Sequence, residues 1–357
     1  MFIIDAHLDL AMNAMEWNRD LREPVAELRE REKGMKDKPD RARNTVSLPA
    51  LRDGKCGLVV ATQIARYVRR DSPLSGWNSP EQAWAQSQAQ LAWYQAMVDA
   101  GEMAQITNLE KLETQINKWS DQRIPDRDKP IGFILSLEGA DSLVKVGYLE
   151  KAYAYGLRAL GPAHYGEGRY AGGTGTEAGF SEVGKTLLKE MDSLHMILDI
   201  THLTDQGFKE AHEIYQGPVW ASHHNCRTLV KNQRQLTDDQ LRILIEREAV
   251  IGGVLDAWML TDGWIRGVSL PKAMGASLNR LIDHYDHICQ IAGNADHIAI
   301  GSDLDGAFGT EQSPFDLDTI ADLQKFPDLL KQRGYAESDI EKILHGNWLR
   351  FLRKAWK

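Results

Sequence analysis

The sequence predicts a (β/α)8 barrel of the TIM type, and three observations along its 357 residues lead there. Short apolar runs rich in β-formers alternate with longer amphipathic stretches from one end of the chain to the other. The runs number eight, the strand count of such a barrel. Most of them end in a side chain able to bind a metal or move a proton, and in a barrel all those ends meet on one rim. A doubly wound open sheet produces similar local patterns and is the alternative fold.

In chain order the strand candidates are FIIDAHLD, CGLVVATQI, IGFILSLEG, YGLRALGPAH, HMILDITH, GPVWASHH, AVIGGVLDA and HIAIGSDLDG. Between them SPEQAWAQSQAQLAWYQAMVDAG, FSEVGKTLLKEMDSL, LTDDQLRILIERE and LNRLIDHYDHICQIAG read as helices, the third opened by a Thr-Asp-Asp capping signal. Asn18 to Arg43 is dense in both charges and short of apolar residues, so it reads as a solvated helix or excursion without chemistry. No repeat, low-complexity tract or long Gly/Ser/Pro linker divides the chain, which is expected to form a single domain over residues 1–357.

Composition narrows the function classes. With 43% hydrophobic and 26% charged residues the chain is ordinary for a globular protein. A net charge of −9 without a basic tract argues against capture of nucleic acid or an anionic membrane surface, leaving a small-molecule partner. Cys56, Cys226 and Cys289 are odd in number and far apart, giving neither a disulfide framework nor a thiolate zinc site. The first residues lack the basic and long apolar regions of a signal peptide, and no run approaches the roughly 18 apolar residues of a membrane span. A cytoplasmic location is the expectation.

The chemistry lies at the strand ends. His7 and Asp9 are two residues apart, so an extended backbone turns both to one face, and imidazole with carboxylate is a ligand pair for a zinc-like cation. The third run ends at Glu138, the fourth at His164, the fifth at His202, the sixth at His223 or His224, and the eighth at Asp303 and Asp305. Each alone has a plain structural explanation: His202 a helix cap, Glu138 the partner of a surface lysine, Asp303 and Asp305-Gly306 a turn. Their recurrence at successive strand ends favours one joint site. His195, His212, His284, His287, His297 and His345 fall on helices or strand starts and read as structural or exposed. Three imidazoles, an aspartate and a glutamate, with a fourth imidazole and a second aspartate besides, exceed the needs of one tetrahedral ion. They suit two cations about 3.5 Å apart that share a carboxylate and a water, lower the pKa of that water and polarise a carbonyl. That is hydrolytic chemistry.

The ordered set DAHLDL, VSLPALRDGKCGLVVATQIA, SLEGAD, FSEVGKTLLKEMDSLHMILDITHLT, ASHH, IGSDLDG and HGNWLRFLR resembles the membrane (renal) dipeptidase family of binuclear zinc dipeptidases, a branch of the amidohydrolase-like barrels. The resemblance runs over nearly the whole chain. It implies two Zn2+ per chain, His7 and Asp9 on the first, Glu138 bridging, His202 and His223 on the second. It further implies that His164 donates to the developing oxyanion, that Arg234, eleven residues after His223, holds the substrate's terminal carboxylate, and that Asp303 is the acid–base group. A homodimer acting on dipeptides, with tolerance for a D-residue at the C-terminal position, completes the implication.

Two stretches depart from the family pattern. Ser222-His223-His224-Asn225 stands where Ser-His-Ser is usual, so His224 could compete for metal or reshape the pocket, and GGVLDAWML lacks the Asn-Phe-Tyr-like sequence of mammalian members, which puts one carboxylate contact in question. The rival readings are a binuclear hydrolase of another small amide, such as an N-acyl amino acid or a lactam, and a catalytically dead barrel. Retention of all five ligands weighs against the latter.

Overall fold

The computed structural model describes residues 1–357. Nine strands occur: β1 (Ile3–Leu8), β2 (Cys56–Ile64), β3 (Met103–Gln105), β4 (Ile131–Glu138), β5 (Leu157–Gly161), β6 (Ile197–Asp199), β7 (Val219–Trp220), β8 (Ile251–Gly253) and β9 (Ile298–Ile300). All eight expected strands are present, together with β3. That short strand borders the first half of β4, from Ile131 to Phe133, and β5 takes over the same edge from Leu135 onward.

Every pairing is parallel, in the order β1-β2-β4-β5-β6-β7, with β8 paired to β9. An Ala221–Ile251 bridge carries the sheet from β7 to β8. Asp303 N–H donates to the His7 carbonyl (3.2 Å), bringing the end of β9 back to β1. The sheet therefore curls into a barrel-like body, with helices outside it, and the ends of its strands converge on one rim.

Burial explains the curl. Along β2, Leu58 and Val60 belong to an inner cluster while Val59 and Ala61 join the large outer core, the alternation of period two that a sheet covered on both faces requires. The inner cluster is stoppered by the C-terminal helix Asn347–Ala355, whose Trp348 stands edge-on to Trp220 (5.6 Å between ring centroids) and donates its indole N–H to Ile300 O. The four expected helices form at Pro80–Asp99, Glu182–Ser193, Asp238–Glu246 and Leu278–Ala292, the third opened by a Thr237–Gln240 capping box.

The charged excursion departs from expectation. Its Leu21, Val25 and Leu28 are buried, and Arg19 is enclosed: it donates to both carboxylate oxygens of Glu32 (2.7 and 3.0 Å), to Asp40 Oδ2 (3.1 Å) and to Asn13 Oδ1 (2.7 Å). Arg41 adds a 2.7 Å bond to Glu32. The alternating charges that read as a solvated face satisfy one another internally, which lets the segment pack down.

Candidate active site

Glu138 closes β4 and marks the centre of the rim. Its Oε1 lies 3.5 Å from His7 Nε2, 3.3 Å from His202 Nε2 and 3.6 Å from His223 Nε2, and its Oε2 lies 3.9 Å from His164 Nε2. His7 Nε2 is in turn 3.9 Å from Asp9 Oδ1 and 3.8 Å from Asp303 Oδ1. The structure thus gathers His7, Asp9, Glu138, His202 and His223, with His164 and Asp303 beside them, from six strand ends. Ligand atoms cluster in three overlapping sets, His7/Asp9/Glu138, Glu138/His164/His202 and His7/His223/Asp303, each within 4.8 Å.

Hydroxyl groups aim the imidazoles. His202 Nδ1 meets the Thr174 hydroxyl (2.9 Å) and His223 Nδ1 the Ser222 hydroxyl (2.9 Å), so both rings present Nε2 to Glu138. The Thr62 hydroxyl on β2 donates to Asp9 Oδ1. His7 Nε2 is buried and has no hydrogen-bond partner. Imidazole and carboxylate lone pairs packed together suit zinc-class divalent cations, and the residues fit such ions; the one N–H donor among them is Arg234 Nη2, 3.5 Å from His202 Nε2.

Electrostatics agree. Burial works to lower the His7 pKa, yet Glu138, with Asp9 and Asp303, raises it to about 10: the carboxylates draw positive charge into the centre. Burial, with Asp9, Glu138 and Asp256 close by, pushes Asp303 well up, against the pull of His7. His164 is lowered to about 3, by burial first and then by the Arg66 and Arg234 guanidiniums, against the pull of Glu138, so its ring is neutral.

His202 and Asp303 both have left-handed backbones, φ 67° and 58°, an uncommon conformation that turns their side chains inward. Gly306 is required beneath Asp303, since a Cβ there would stand 2.0 Å from Asp303 Oδ1.

Arg234 is buried in the segment before the helix Asp238–Glu246. It donates to the His223 carbonyl (3.0 Å) and packs against the His224 ring nitrogens (3.2 Å), and it forms no ion pair with a carboxylate. His224 is therefore a neighbour of the guanidinium and stands outside the metal-ligand sets. Asp305, the second carboxylate at the end of the eighth run, is structural: it accepts from Thr45 N (2.6 Å), Thr45 Oγ1 (2.8 Å) and Val46 N (3.0 Å).

A cavity of about 350 Å3 opens over the centre, bounded by Arg66, His164, Tyr165, Arg234, Trp258 and Asp303 among others. A second, of about 370 Å3, adjoins it past Asp9 and Arg66, with Glu16, Trp17, Lys38 and Trp77 in its wall. Lys38 comes from the excursion, which thereby contributes to the site's surroundings. Sequence reasoning missed Arg66, two residues beyond a strand run with no chemical ending, and Asp256, the last residue but one of the seventh run, AVIGGVLDA. Asp256 accepts from Trp258 Nε1 (2.6 Å) and Gln312 Nε2 (2.9 Å), and burial raises it to about 7.

Residues 1–357 match the family described as Membrane dipeptidase (Peptidase family M19). The chain belongs to that family. Membership in the membrane dipeptidases makes it a dipeptidase, a hydrolase of the metallopeptidase class, in agreement with the ligand cluster. An uncharacterized protein in the pqqA 5' region of Klebsiella pneumoniae is 30% identical over 64% of this chain and 84% of its own length. Dipeptidase tcpJ of Claviceps purpurea is 27% identical over 63% of this chain, and the match covers 52% of that longer protein. Among solved structures, dipeptidase AC superposes with a TM-score of 0.79 at 22% identity, over 100% of this chain and 99% of its own. A metallo peptidase from Rhodobacter sphaeroides, liganded with a phosphinate mimic of L-Ala-D-Ala, gives 0.78 at 21% identity over the same shares. These two share the barrel fold with this chain. Within the family, no helix here is long and apolar enough to cross a membrane.

Proposed function

We propose that the chain is a binuclear zinc dipeptidase that accepts a D-residue at the C-terminal position of its substrate. The observation that carries the reading is the convergence of three buried imidazole Nε2 atoms on one oxygen of Glu138. In the proposal His7 and Asp9 hold one ion, His202 and His223 the other, and Glu138 both. Such ions supply an activated water and a Lewis acid for the scissile carbonyl.

The chain's own groups do the rest. Arg234, buried and without a carboxylate partner, takes the substrate's terminal carboxylate through paired N–H donors, which sets the distance from chain end to scissile bond. Asp303 Oδ1, 3.8 Å from His7 Nε2 and bordering the cavity, is placed to accept a proton at the centre and return it to the departing amine. His164 Nε2, directed at Glu138, donates to the oxygen that gains charge. The two adjoining cavities leave room for a side chain on either side of the centre. Support for the D-residue comes from the relative that binds a mimic of L-Ala-D-Ala.

The proposal extends to a homodimer in the cytoplasm. For the dimer the support is the run of exposed apolar residues Ile265, Val268 and Leu270 around cavity-lining Arg266, and sedimentation together with cell fractionation tests both parts. The function itself is tested by assaying zinc-loaded protein on L,L and L,D dipeptides and on N-acyl amino acids. Dipeptides should be cleaved and N-acylated analogues spared. Equal cleavage of both transfers the chain to the wider amidase reading.

A further inference from the structure

Arg66 lies just beyond β2 and reaches across to His164, three residues past the end of β5, which the proposed function uses as oxyanion donor. One of its terminal nitrogens, Nη2, is hydrogen-bonded to His164 Nδ1, and the other donates to Ser75 O (3.2 Å). The guanidinium forms no ion pair, and its Nε is buried without a partner, so this is not an arginine held for a carboxylate within the chain. It is the only side chain hydrogen-bonded to His164, whose other nitrogen, Nε2, faces Glu138 Oε2 at 3.9 Å.

A guanidinium carries five N–H donors and no acceptor. In the Arg66–His164 bond the imidazole must therefore accept at Nδ1, and in a neutral ring the single proton is then on Nε2. The same bond opposes a half-turn of the ring, which would carry Nδ1 away from Arg66 and Nε2 away from the centre. We propose that Arg66 is a positioning residue that holds His164 as its Nε2–H tautomer with that N–H aimed at the scissile carbonyl oxygen. Nothing in the metal-ligand set calls for a donor-only side chain here; the directionality of one hydrogen bond does. The catalytic half of the inference rests on the dipeptidase reading, whereas the tautomer does not.

The experiment separates the two. Histidine ring 15N spectra of zinc-loaded protein, with His164→Gln used for assignment, should show His164 protonated at Nε2 and unprotonated at Nδ1. Arg66→Met should disturb that pattern, and Arg66→Lys, which restores one N–H donor, should recover it. On dipeptides Arg66→Met should lower kcat by about 10- to 100-fold, short of the roughly 10²- to 10³-fold lost with a whole oxyanion donor, with KM within about threefold. The double variant Arg66→Met/His164→Gln should be no slower than His164→Gln alone, because the arginine acts through the ring. Losses that multiply in the double variant, or a raised KM at unchanged kcat, would show that Arg66 binds substrate directly and overturn the proposal. So would a His164 ring protonated at Nδ1 in the wild type. If Arg66→Met does not fold, Arg66→Lys against Arg66→Leu decides by the same readouts, the Nε2–H pattern kept in Arg66→Lys and lost in Arg66→Leu supporting the inference, and its loss in Arg66→Lys or its retention in Arg66→Leu overturning it. Failure to cleave any dipeptide, with the Nε2–H pattern intact and lost in Arg66→Met, would remove the function and leave the positioning.

Discussion

Asp5 and Ser302 close the barrel across 297 residues of sequence: one carboxylate oxygen of Asp5 accepts the Ser302 backbone N–H (2.8 Å) and the other its hydroxyl (2.5 Å). Asp5 sits in β1 two residues before His7, whose own N–H it also accepts, and Ser302 immediately precedes Asp303. One buried carboxylate thus sets the proposed metal ligand His7 beside the proposed acid–base group Asp303. Asp5→Ala would leave three donors unpaired inside the protein, at a cost of about 3 kcal/mol or more. Urea unfolding should show it, with Asp5→Asn intermediate because one acceptor oxygen remains.

Metal content should reach two divalent ions per chain in protein loaded with zinc, since five ligands that share Glu138 exceed one four-coordinate site. Glu138→Gln keeps the size and removes the charge, so occupancy and turnover should fall together. Chelation should lower the unfolding temperature, each site withdrawing about 4 kcal/mol when the ion was at a thousandfold excess over Kd. Full activity at a stoichiometry of one would defeat the binuclear arrangement.

Asp303→Ala should reduce kcat by roughly 10²- to 10⁴-fold, the contribution typical of a positioned acid–base group. Both metals should remain bound, as measured by elemental analysis of the purified variant. Activity within a few-fold of wild type would move the proton transfer elsewhere, and Asp305 is not available for it because its oxygens are taken up by Thr45 and Val46.

Arg234→Met should cost about 10- to 150-fold in kcat/KM on dipeptides, the worth of one charge-assisted contact of roughly 1.5–3 kcal/mol. Dipeptide amides lack the anion, so they should be poor substrates of the wild type and lose much less on substitution. Equal turnover of dipeptides and their amides by the wild type would deny Arg234 its role.

His284 offers a pH dependence away from the centre. Burial lowers it to about 3, and its Nδ1 accepts the Cys226 N–H (3.1 Å). Asp283 opposes that shift, while His287 and Arg280 reinforce it. A histidine neutral when folded and free to protonate when unfolded makes the unfolded chain the better proton binder between its ordinary value near 6.5 and about 3. Its stabilising contribution is complete above the unfolded value and is lost as pH falls through that window, by up to about 1.4 kcal/mol per pH unit. His284→Gln should therefore flatten the acid side of the stability profile relative to wild type, as followed by denaturant titrations from pH 7 to 4.

The strands and the candidate ligands are legible in the sequence because both are written locally. FIIDAHLD places His7 and Asp9 after an apolar run, IGFILSLEG does the same for Glu138, and a parallel barrel assembles such ends without further instruction. The thiols Cys56, Cys226 and Cys289 are free, in keeping with their scattered positions. The excursion is not legible in the same way, because sign-alternating charge looks alike whether it faces water or closes upon itself; only folding shows Arg19 between Glu32 and Asp40.

Short-range pattern and chemical type therefore carry the alternation of elements, the family and the set of candidate metal ligands, and a reader of the chain needs nothing more to find them. Which polar groups act and which merely support is settled at the level of the folded barrel. There Asp305 goes to Thr45 and Val46, His224 lies against Arg234, His202 and Asp303 turn into left-handed conformations, and Arg66 is set on His164. The reason is physical: a hydrogen bond is decided by distance and direction between side chains on different strands, and those depend on how the whole sheet curls, a property that no window of neighbouring residues contains.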